Sequence, residues 1–384
     1  SAAGIDIGLL GPMPTPAVAY LTRTLRAGAG VVISASHNAY HDNCFKFFSA
    51  EGKKLPDTWE QKVEALLDAP IQTVDSSKLG KARRVDDAPG RYIEFCKSSV
   101  PMKFSLNGLR LVLDCANGAA YATAPHVFEE LSAEVITVGR EPDGLNINLE
   151  VGSTYPEKLA KLVSEYRADL GVALDGDGDR CIMVDGEGAV VDGDLLLYII
   201  AISRQQSGEL HGPIVGTLMT NLGLEHAFQK KSIPFMRAAV GDRYVLELLQ
   251  QHDGTIGGES SGHLLCLDRT STGDGIVSAL QVLYEVVESG KTLAELTAEV
   301  QRYPQKMINV RLRDCKVKST AIIESAVVDV EQRLGERGRV LLRPSGTEPL
   351  VRVMVEGQDA GEVNALTEEL AEVVRREVGA ITSL

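Results

Sequence analysis

Short apolar and β-branched runs recur along most of this sequence, each followed by a polar loop and then by apolar residues at helical spacing. The clearest strand candidates are residues 30–34, 109–113, 170–174 and 213–217. Strands that alternate with helices are typical of α/β proteins with a parallel or mixed sheet. Ligands of such sheets bind beyond the carboxyl ends of the strands, where the polar loops lie. The pattern therefore predicts α/β domains whose site is built from these loops.

The length of 384 residues corresponds to roughly two to four domains at about 150 residues each. We place the boundaries at residues 1–88, 89–190, 191–302 and 303–384. In the last segment, two strand-like stretches enclose a helical stretch near 320–334, and an amphipathic helix closes the chain. The sequence therefore predicts three successive α/β domains and a small α+β domain.

Charge and hydropathy exclude several kinds of partner. The chain has 39 basic and 53 acidic residues, a net charge of −14, and no basic cluster, which argues against nucleic acid. The longest apolar run, 195–202, is far shorter than the roughly 20 residues that span a bilayer. No charged and then apolar leader opens the chain. We expect a cytoplasmic protein, without a membrane partner, that binds a small molecule.

The six cysteines do not form a metal or redox motif. No two of them have the C-x-x-C spacing that zinc ribbons and thioredoxin-type sites need. Free and mostly buried thiols in a reducing compartment are therefore expected.

The strongest chemical signal is a run of three aspartates separated by glycines, Asp175, Asp177 and Asp179, followed by Arg180. Carboxylates at alternate positions can converge on one hard divalent cation. An EF-hand is excluded, since it needs glycine at the sixth and glutamate at the twelfth position of the loop. Three interpretations stay open: a phosphatase with Asp175 as covalent nucleophile, a Mg²⁺ site that serves another nucleophile, and a surface turn.

Two other loops combine hydroxyl groups with cations. Residues 34–38 place Ser34, Ser36 and His37 at the end of a strand, where loop amides can bind an oxyanion or phosphate, although a simple turn is equally compatible. Residues 343–349 contain Arg343, two hydroxyl groups and a glycine, which suit either a phosphate dianion or a hairpin loop.

Residues 258–262 match the G-x-S-x-G pattern of hydrolases. That fold requires its histidine after the serine and the acid, and no histidine follows His263, so we exclude a hydrolase triad. A loop that offers a carboxylate, hydroxyls and an imidazole is instead suited to sugar hydroxyl groups. The stretch 289–292 resembles the end of a P-loop, but Glu285 occupies the position of its first glycine.

Taken together, the motifs at 34–38, 175–180, 258–263 and 343–348 resemble those of the α-D-phosphohexomutase superfamily, in the same order. Supporting stretches lie at 11–16, 114–118, 216–221 and 240–244, and the likeness extends to about residue 357. The resemblance implies three α/β domains of like topology and a C-terminal domain similar to the TATA-box-binding fold, around a central cleft. The opening strand of that superfamily and its Gly-Thr-Asp-Gly-Ile-Arg-Gly segment are not found, so we expect an N-terminally incomplete first domain.

The resemblance also implies a role for each motif. The residues implied to hold Mg²⁺ are Ser36, as a phosphoserine, with Asp175, Asp177 and Asp179. Those implied to surround the reacting phosphoryl group are His37, Lys46, Arg180 and His263. Those implied to contact the sugar are Glu259 and Ser261, and those implied to bind the other phosphate are Arg343, Ser345, Gly346 and Thr347. The sequence departs from the usual pattern at Ala39, Cys44 and Ala239.

Within the superfamily, the motifs are most similar to members that interconvert glucosamine 6-phosphate and glucosamine 1-phosphate on the way to UDP-N-acetylglucosamine and the cell wall. The resemblance implies glucosamine 1,6-bisphosphate, or another hexose bisphosphate, as intermediate and activator, and a homodimer. The alternatives are a phosphoglucomutase or phosphomannomutase of the same superfamily, a Mg²⁺-dependent phosphatase and an inactive phosphosugar-binding relative.

Overall fold

The structure is a computed structural model and describes residues 1–312, 320–344 and 349–378. The chain divides into two compact units, Ser1–Thr217 with Met236–Ala298 and Leu218–Phe235 with Glu299–Leu384. Within the described ranges, no helix combines the length and the apolar character that crossing a bilayer demands.

The N-terminal part of the first unit contains two small sheets. Its elements are β1 (Ile7–Leu9), α1 (Thr15–Thr24), β2 (Ala29–Ser34), β3 (Cys44–Ser49), α2 (Asp57–Leu67), β4 (Ala82–Arg84) and α3 (Ala88–Ser98). Strand β1 pairs with β4 in parallel, and β2 pairs with β3 in antiparallel fashion, with Ser34 opposite Cys44. Side chains along β2 alternate between exposed and buried, as expected for a strand with one covered face.

A five-stranded sheet follows. Its elements are β5 (Arg110–Asp114), α4 (Ala124–Glu130), β6 (Glu134–Val138), α5 (Pro156–Tyr166), β7 (Leu170–Leu174), β8 (Cys181–Asp185) and β9 (Val190–Val191). The strand order is β6-β5-β7-β8-β9, with the first three parallel and the last two pairings antiparallel. All five residues of β7 are buried, which explains its continuous apolar run. The carboxyl end of β7 therefore leads from the core directly into the three aspartates.

The next segment repeats this arrangement. Its elements are α6 (Gly193–Ser207), β10 (Ile214–Thr217), α7 (Leu222–Lys230), β11 (Phe235–Ala238), α8 (Asp242–Gln251), β12 (Ile256–Gly258), β13 (Leu264–Cys266), α9 (Gly275–Ser289) and α10 (Leu293–Thr297). The strand order β11-β10-β12-β13 corresponds to β6-β5-β7-β8, and in both sheets the last pairing is antiparallel. These two sheets have the like topology that the motifs implied.

The second unit is an α+β arrangement. Besides α7, it contains β14 (Gln305–Arg311), α11 (Ala321–Leu334), β15 (Gly338–Pro344), β16 (Leu350–Gly357) and α12 (Ala360–Val378). The antiparallel sheet has the order β14-β16-β15, and Leu370 and Val374 of α12 pack with Val351 and Val353 of β16. The fully buried Glu356 accepts hydrogen bonds from Arg339 Nε at 2.6 Å and from the backbone N of Leu222 at 3.0 Å. This contact attaches the start of α7 to the sheet.

The five cysteines in the described part of the chain are free, as predicted. Four of them are buried and Cys44 is exposed, while Cys315 lies outside the described residues.

Candidate active site

The three aspartates that follow β7 form a buried carboxylate cluster. Asp175, Asp177 and Asp179 are 0%, 1% and 4% exposed, and one ligand oxygen from each lies within 4.8 Å of the others. Among the described residues, no donor gives a hydrogen bond to Asp175 Oδ2 or Asp177 Oδ1. Buried carboxylates are costly unless a cation or donors compensate them. A set of convergent oxygen donors with unsatisfied atoms fits a hard divalent cation such as Mg²⁺.

Lys46 and Arg180 both contact this cluster. Lys46 extends from β3, donates to Asp179 Oδ2 at 3.1 Å and also pairs with Asp177 Oδ2. Arg180 donates its backbone N–H to Asp175 Oδ1 at 3.0 Å, and its Nε lies 4.0 Å from Asp179 Oδ1. Burial opposes the charge of Lys46, but the two carboxylates raise its pKa above the ordinary value. Lys46 is therefore cationic at neutral pH.

The aspartates respond differently to this environment. Burial, followed by the charges of its two neighbours, raises the pKa of Asp175 well above the usual range. Burial acts in the same direction on Asp179, but His263, Lys46 and Arg180 together hold the pKa of that carboxyl well below its usual range. The cationic side chains therefore favour the negative charge on Asp179.

His263 connects the cluster to a second carboxylate. Its Nδ1 lies 3.5 Å from Asp179 Oδ1, and its Nε2 lies 3.4 Å from Asp242 Oδ2, which also pairs with Lys54. Burial would lower the pKa of His263, but the two carboxylates raise it above its ordinary value. The arrangement favours an imidazolium ion in a side chain that is only 4% exposed.

The turn at residues 35–38, here called the Ser36 turn, begins where β2 ends and is closed by a 2.9 Å hydrogen bond from Asn38 N to the carbonyl of Ala35. Ser36 has a φ of +54°, in the left-handed region that serine rarely adopts. Its backbone N donates to Ser34 Oγ at 2.9 Å, so Ser34 closes the turn from within the strand. His37 Nδ1 lies 3.5 Å from Ser36 Oγ, and burial together with the charge of Arg180 lowers the pKa of His37. A neutral imidazole is thus adjacent to the serine hydroxyl.

The Ser36 turn packs against the aspartate loop. A Cβ on Gly176, between two of the aspartates, would lie 2.5 Å from the carbonyl oxygen of Ser36. Only glycine allows the two backbones to approach so closely. Thr15, at the start of α1, also contacts the aspartate loop: it donates its N–H to the carbonyl of Asp177 at 2.8 Å and its hydroxyl to Asp177 Oδ2 at 2.9 Å. The structure therefore brings the predicted serine and the predicted metal ligands together.

The loop that matches G-x-S-x-G connects the antiparallel strands β12 and β13. Glu259 N donates to the carbonyl of His263 at 3.0 Å, and Gly262 N donates to the carbonyl of Glu259 at 3.0 Å. A nucleophile elbow lies between a strand and a helix, so this hairpin is consistent with the exclusion of a hydrolase. Glu259 Oε1 accepts a 3.0 Å hydrogen bond from Gly241 N, while Ser261 is exposed. A backbone N–H group thus holds the Glu259 carboxylate, while the nearby Ser261 is accessible to solvent.

The fourth predicted motif is only partly described. Arg343 lies near the end of β15 in the second unit, in register with Arg352 of β16. Burial and the charge of Arg352 lower the pKa of Arg343. Ser345, Gly346 and Thr347 lie outside the described residues, so the phosphate-binding role of this loop stays a prediction.

Four residues that contact the site have no role among the sequence-based predictions: Thr15, Lys54, Asn148 and Asp242. Thr15 and Asp242 lie in the supporting stretches 11–16 and 240–244, which were a signal for them. No local pattern distinguishes Lys54 and Asn148, because Lys54 contacts Asp242 and Asn148 contacts Ser36, each in a distant segment of the chain.

Models of the phosphoglucomutase/phosphomannomutase family match the chain at residues 1–73 (α/β/α domain I), 90–188 (domain II), 192–303 (domain III) and 307–373 (C-terminal domain). The chain belongs to this family, which confirms the resemblance and the fold class predicted from the motifs.

Within the family, the chain is similar to bacterial phosphoglucosamine mutases. It is 59% identical over 377 residues to that of Methylococcus capsulatus, covering 98% of this chain and 84% of the relative. It is 60% identical over 380 residues to that of Nitrosococcus oceani, covering 99% and 84%. Among solved structures, Aspergillus fumigatus N-acetylphosphoglucosamine mutase in complex with GlcNAc-6P and magnesium has a TM-score of 0.75 at 18% identity, covering 94% of this chain and 93% of that one.

Proposed function

We propose that the chain is a phosphoglucosamine mutase, an isomerase that interconverts glucosamine 6-phosphate and glucosamine 1-phosphate. The observation that carries this function is the 59% identity, over 98% of the chain, to a relative with that activity in its name. The site geometry agrees with the reaction, because the Ser36 turn packs against the loop that carries the buried carboxylate cluster and its cations. Phosphoryl transfer depends on such positioning and charge neutralisation.

For the metal, Asp175, Asp177 and Asp179 would hold Mg²⁺ together with the phosphate on Ser36. Bound Mg²⁺ supplies neutralisation of the charge on the oxygens of the transferred phosphoryl group. Lys46 and Arg180, which contact the same aspartates, add positive charge and would orient the transferred phosphoryl group through hydrogen bonds. The complete burial of Asp175 argues against its use as a covalent nucleophile, which disfavours the phosphatase alternative.

In the proposed reaction, the bond between phosphorus and Ser36 Oγ breaks while a bond to one sugar oxygen forms. The bisphosphate then returns its other phosphoryl group to Ser36. In the first transfer the proton of the attacking sugar hydroxyl passes to the departing Ser36 Oγ, and in the return transfer the Ser36 hydroxyl proton passes to the freed sugar oxygen. His37, a neutral imidazole whose Nδ1 lies 3.5 Å from Ser36 Oγ, is placed to accept the hydroxyl proton when Ser36 takes the phosphoryl group. Both half-reactions use the same serine, so the sugar must turn around between them.

The remaining contacts belong to substrate binding. Glu259 and Ser261 would bind sugar hydroxyl or amino groups, and Arg343, Ser345, Gly346 and Thr347 would bind the phosphate that does not react. We extend the proposal to a hexose bisphosphate as activator, a homodimer and a cytoplasmic location. The acidic composition supports a small phosphosugar rather than nucleic acid as partner.

Phosphate mapping and a Ser36→Ala variant test this function together. We expect mass spectrometry of the purified protein to place a phosphate on Ser36, and Ser36→Ala to lose mutase turnover while it still folds and binds the phosphosugar. Full turnover by Ser36→Ala would contradict the proposed mechanism. Phosphate trapped on Asp175 instead would favour the phosphatase.

A further inference from the structure

Asn148 lies in the loop between β6 and α5, and its side chain reaches the Ser36 turn. Its Nδ2 donates to the carbonyl oxygen of Ser36 at 2.9 Å and to that of Asn38 at 2.8 Å. Both acceptors are carbonyl oxygens, so the amide must present its nitrogen to them rather than its oxygen. One NH₂ group therefore bridges the turn on both sides of His37.

The backbone of Asn148 is itself held firmly. Asn148 is 6% exposed, and its N–H donates to the carbonyl of Ala116 at 2.9 Å. Ala116 follows β5 and donates its own N–H to the buried Asp114 at 2.9 Å. Asn148 has a φ of +58°, which asparagine tolerates better than most residues. The amide thus extends from a rigid support at the carboxyl end of β5, an inner strand of the five-stranded sheet.

The Ser36 turn needs such a support because its backbone is strained. A left-handed serine persists only where the surrounding structure enforces it. Three contacts do so here: the Ser34 hydroxyl, the close approach of Gly176 and the two hydrogen bonds from Asn148. Asn148 is the one among them whose side chain comes from a different sheet and bonds to both ends of the turn.

We propose that Asn148 is a positioning residue that sets the direction of Ser36 Oγ toward the aspartate cluster. This inference rests on the proposed function, since the direction of Oγ matters only if Ser36 carries the phosphoryl group. Asn148 acts through the carbonyl groups of the turn and need not touch the sugar. Its loss should therefore slow the chemical step and leave substrate binding largely unchanged.

Asn148→Gly is the direct test, because glycine keeps the left-handed backbone without strain and removes both donors. A misplacement of reacting groups by about 1 Å costs about 100-fold in rate, so we expect kcat to fall by about that factor and KM to change by less than about twofold. Asn146→Ala is the matched control. Asn146 Nδ2 donates to the carbonyl of Glu141 at 2.8 Å and its Oδ1 accepts from Asp143 N at 3.0 Å, so both side-chain hydrogen bonds stay within the same loop. We expect the control to keep near-normal kcat.

A second variant, Asn148→Asp, keeps the shape of the side chain and turns its donor into an acceptor that faces two carbonyl oxygens. We expect at least the same loss of kcat. If Asn148→Gly does not fold, the kcat of Asn148→Asp tests the positioning role in its place. Near-normal kcat in either folded variant, with Ser36→Ala inactive, would overturn the positioning role alone. An equal loss in Asn146→Ala would also overturn it, in favour of general loop stability. An active Ser36→Ala would refute the phosphoserine mechanism itself, and with it the positioning role.

Discussion

The hydroxyl of Tyr92 donates a 2.9 Å hydrogen bond to Oδ2 of Asp274, and both side chains are completely buried. Tyr92 belongs to α3, and Asp274 precedes α9, where its Oδ1 accepts the N–H groups of Ile276 and Val277 at 3.0 Å each. Burial raises the pKa of Asp274 to about 6 in spite of these three hydrogen bonds. The folded protein therefore holds a proton at a pH where an unfolded chain has released it.

We predict that this carboxyl makes stability depend on pH in the acidic range. Its contribution is fully present below the ordinary pKa of 3.8 and is lost as the pH rises through about 6. Asp274→Asn keeps an oxygen for the helix N–H groups but does not titrate. Urea unfolding from pH 4 to pH 7 should therefore show the wild type losing at most about 3 kcal/mol relative to this variant. A stability difference that is constant across this range would contradict the prediction.

We predict that Asp177→Asn lowers both Mg²⁺ affinity and mutase turnover by about 100-fold or more, because it removes one charge from a hard-cation site. Calorimetric titration with Mg²⁺ and a turnover assay measure the two effects. Asp185→Asn is the matched control, since Asp185 is buried nearby in sequence and uses Oδ1 to accept the N–H groups of Glu187 and Ala189. Turnover that survives Asp177→Asn and thorough chelation would rule out the metal role.

We predict that Glu259→Gln weakens discrimination between glucosamine phosphates and other hexose phosphates by about tenfold. The variant keeps an oxygen for the N–H of Gly241 and loses the charge that can pair with a protonated amino group. The measurement is kcat/KM for glucosamine, glucose and mannose phosphates, with Glu247→Gln on the exposed part of α8 as control. Equal turnover of all three sugars by the unaltered enzyme would contradict the glucosamine assignment.

We predict that Ser34→Ala stays active, with turnover within about tenfold of the wild type, in contrast to the inactive Ser36→Ala. Ser34 contributes a single turn hydrogen bond, from the N–H of Ser36, and such a bond is worth about 1 kcal/mol. Turnover should therefore fall by no more than about tenfold, and phosphate should still be found on Ser36. Tandem mass spectra that place the phosphate on Ser34 would reverse the assignment.

The sequence alone was sufficient to predict a feature when all the residues of that feature lie in one short segment. All three carboxylates of the cluster lie within five residues after β7, so the spacing alone predicted that they could converge on a cation, while a nucleophile and a surface turn stayed open as alternatives. The α/β alternation likewise predicted parallel or mixed sheets, since buried parallel strands read as continuous apolar runs, whereas the like topology of two of these sheets was implied by the resemblance. The domain boundaries and the role of each site residue remain predictions.

Only the tertiary structure showed which atoms of distant residues contact one another at the site. Lys46 is 131 residues from Asp177, Lys54 is 188 from Asp242, and Asn148 is 112 from Ser36. No local periodicity encodes these pairs, because sheet order and the close packing of backbones at Gly176 decide which loops converge. The sequence by itself determined the chemistry of each loop. The folded chain determined that a strained serine, a buried carboxylate cluster and their supporting cations lie together.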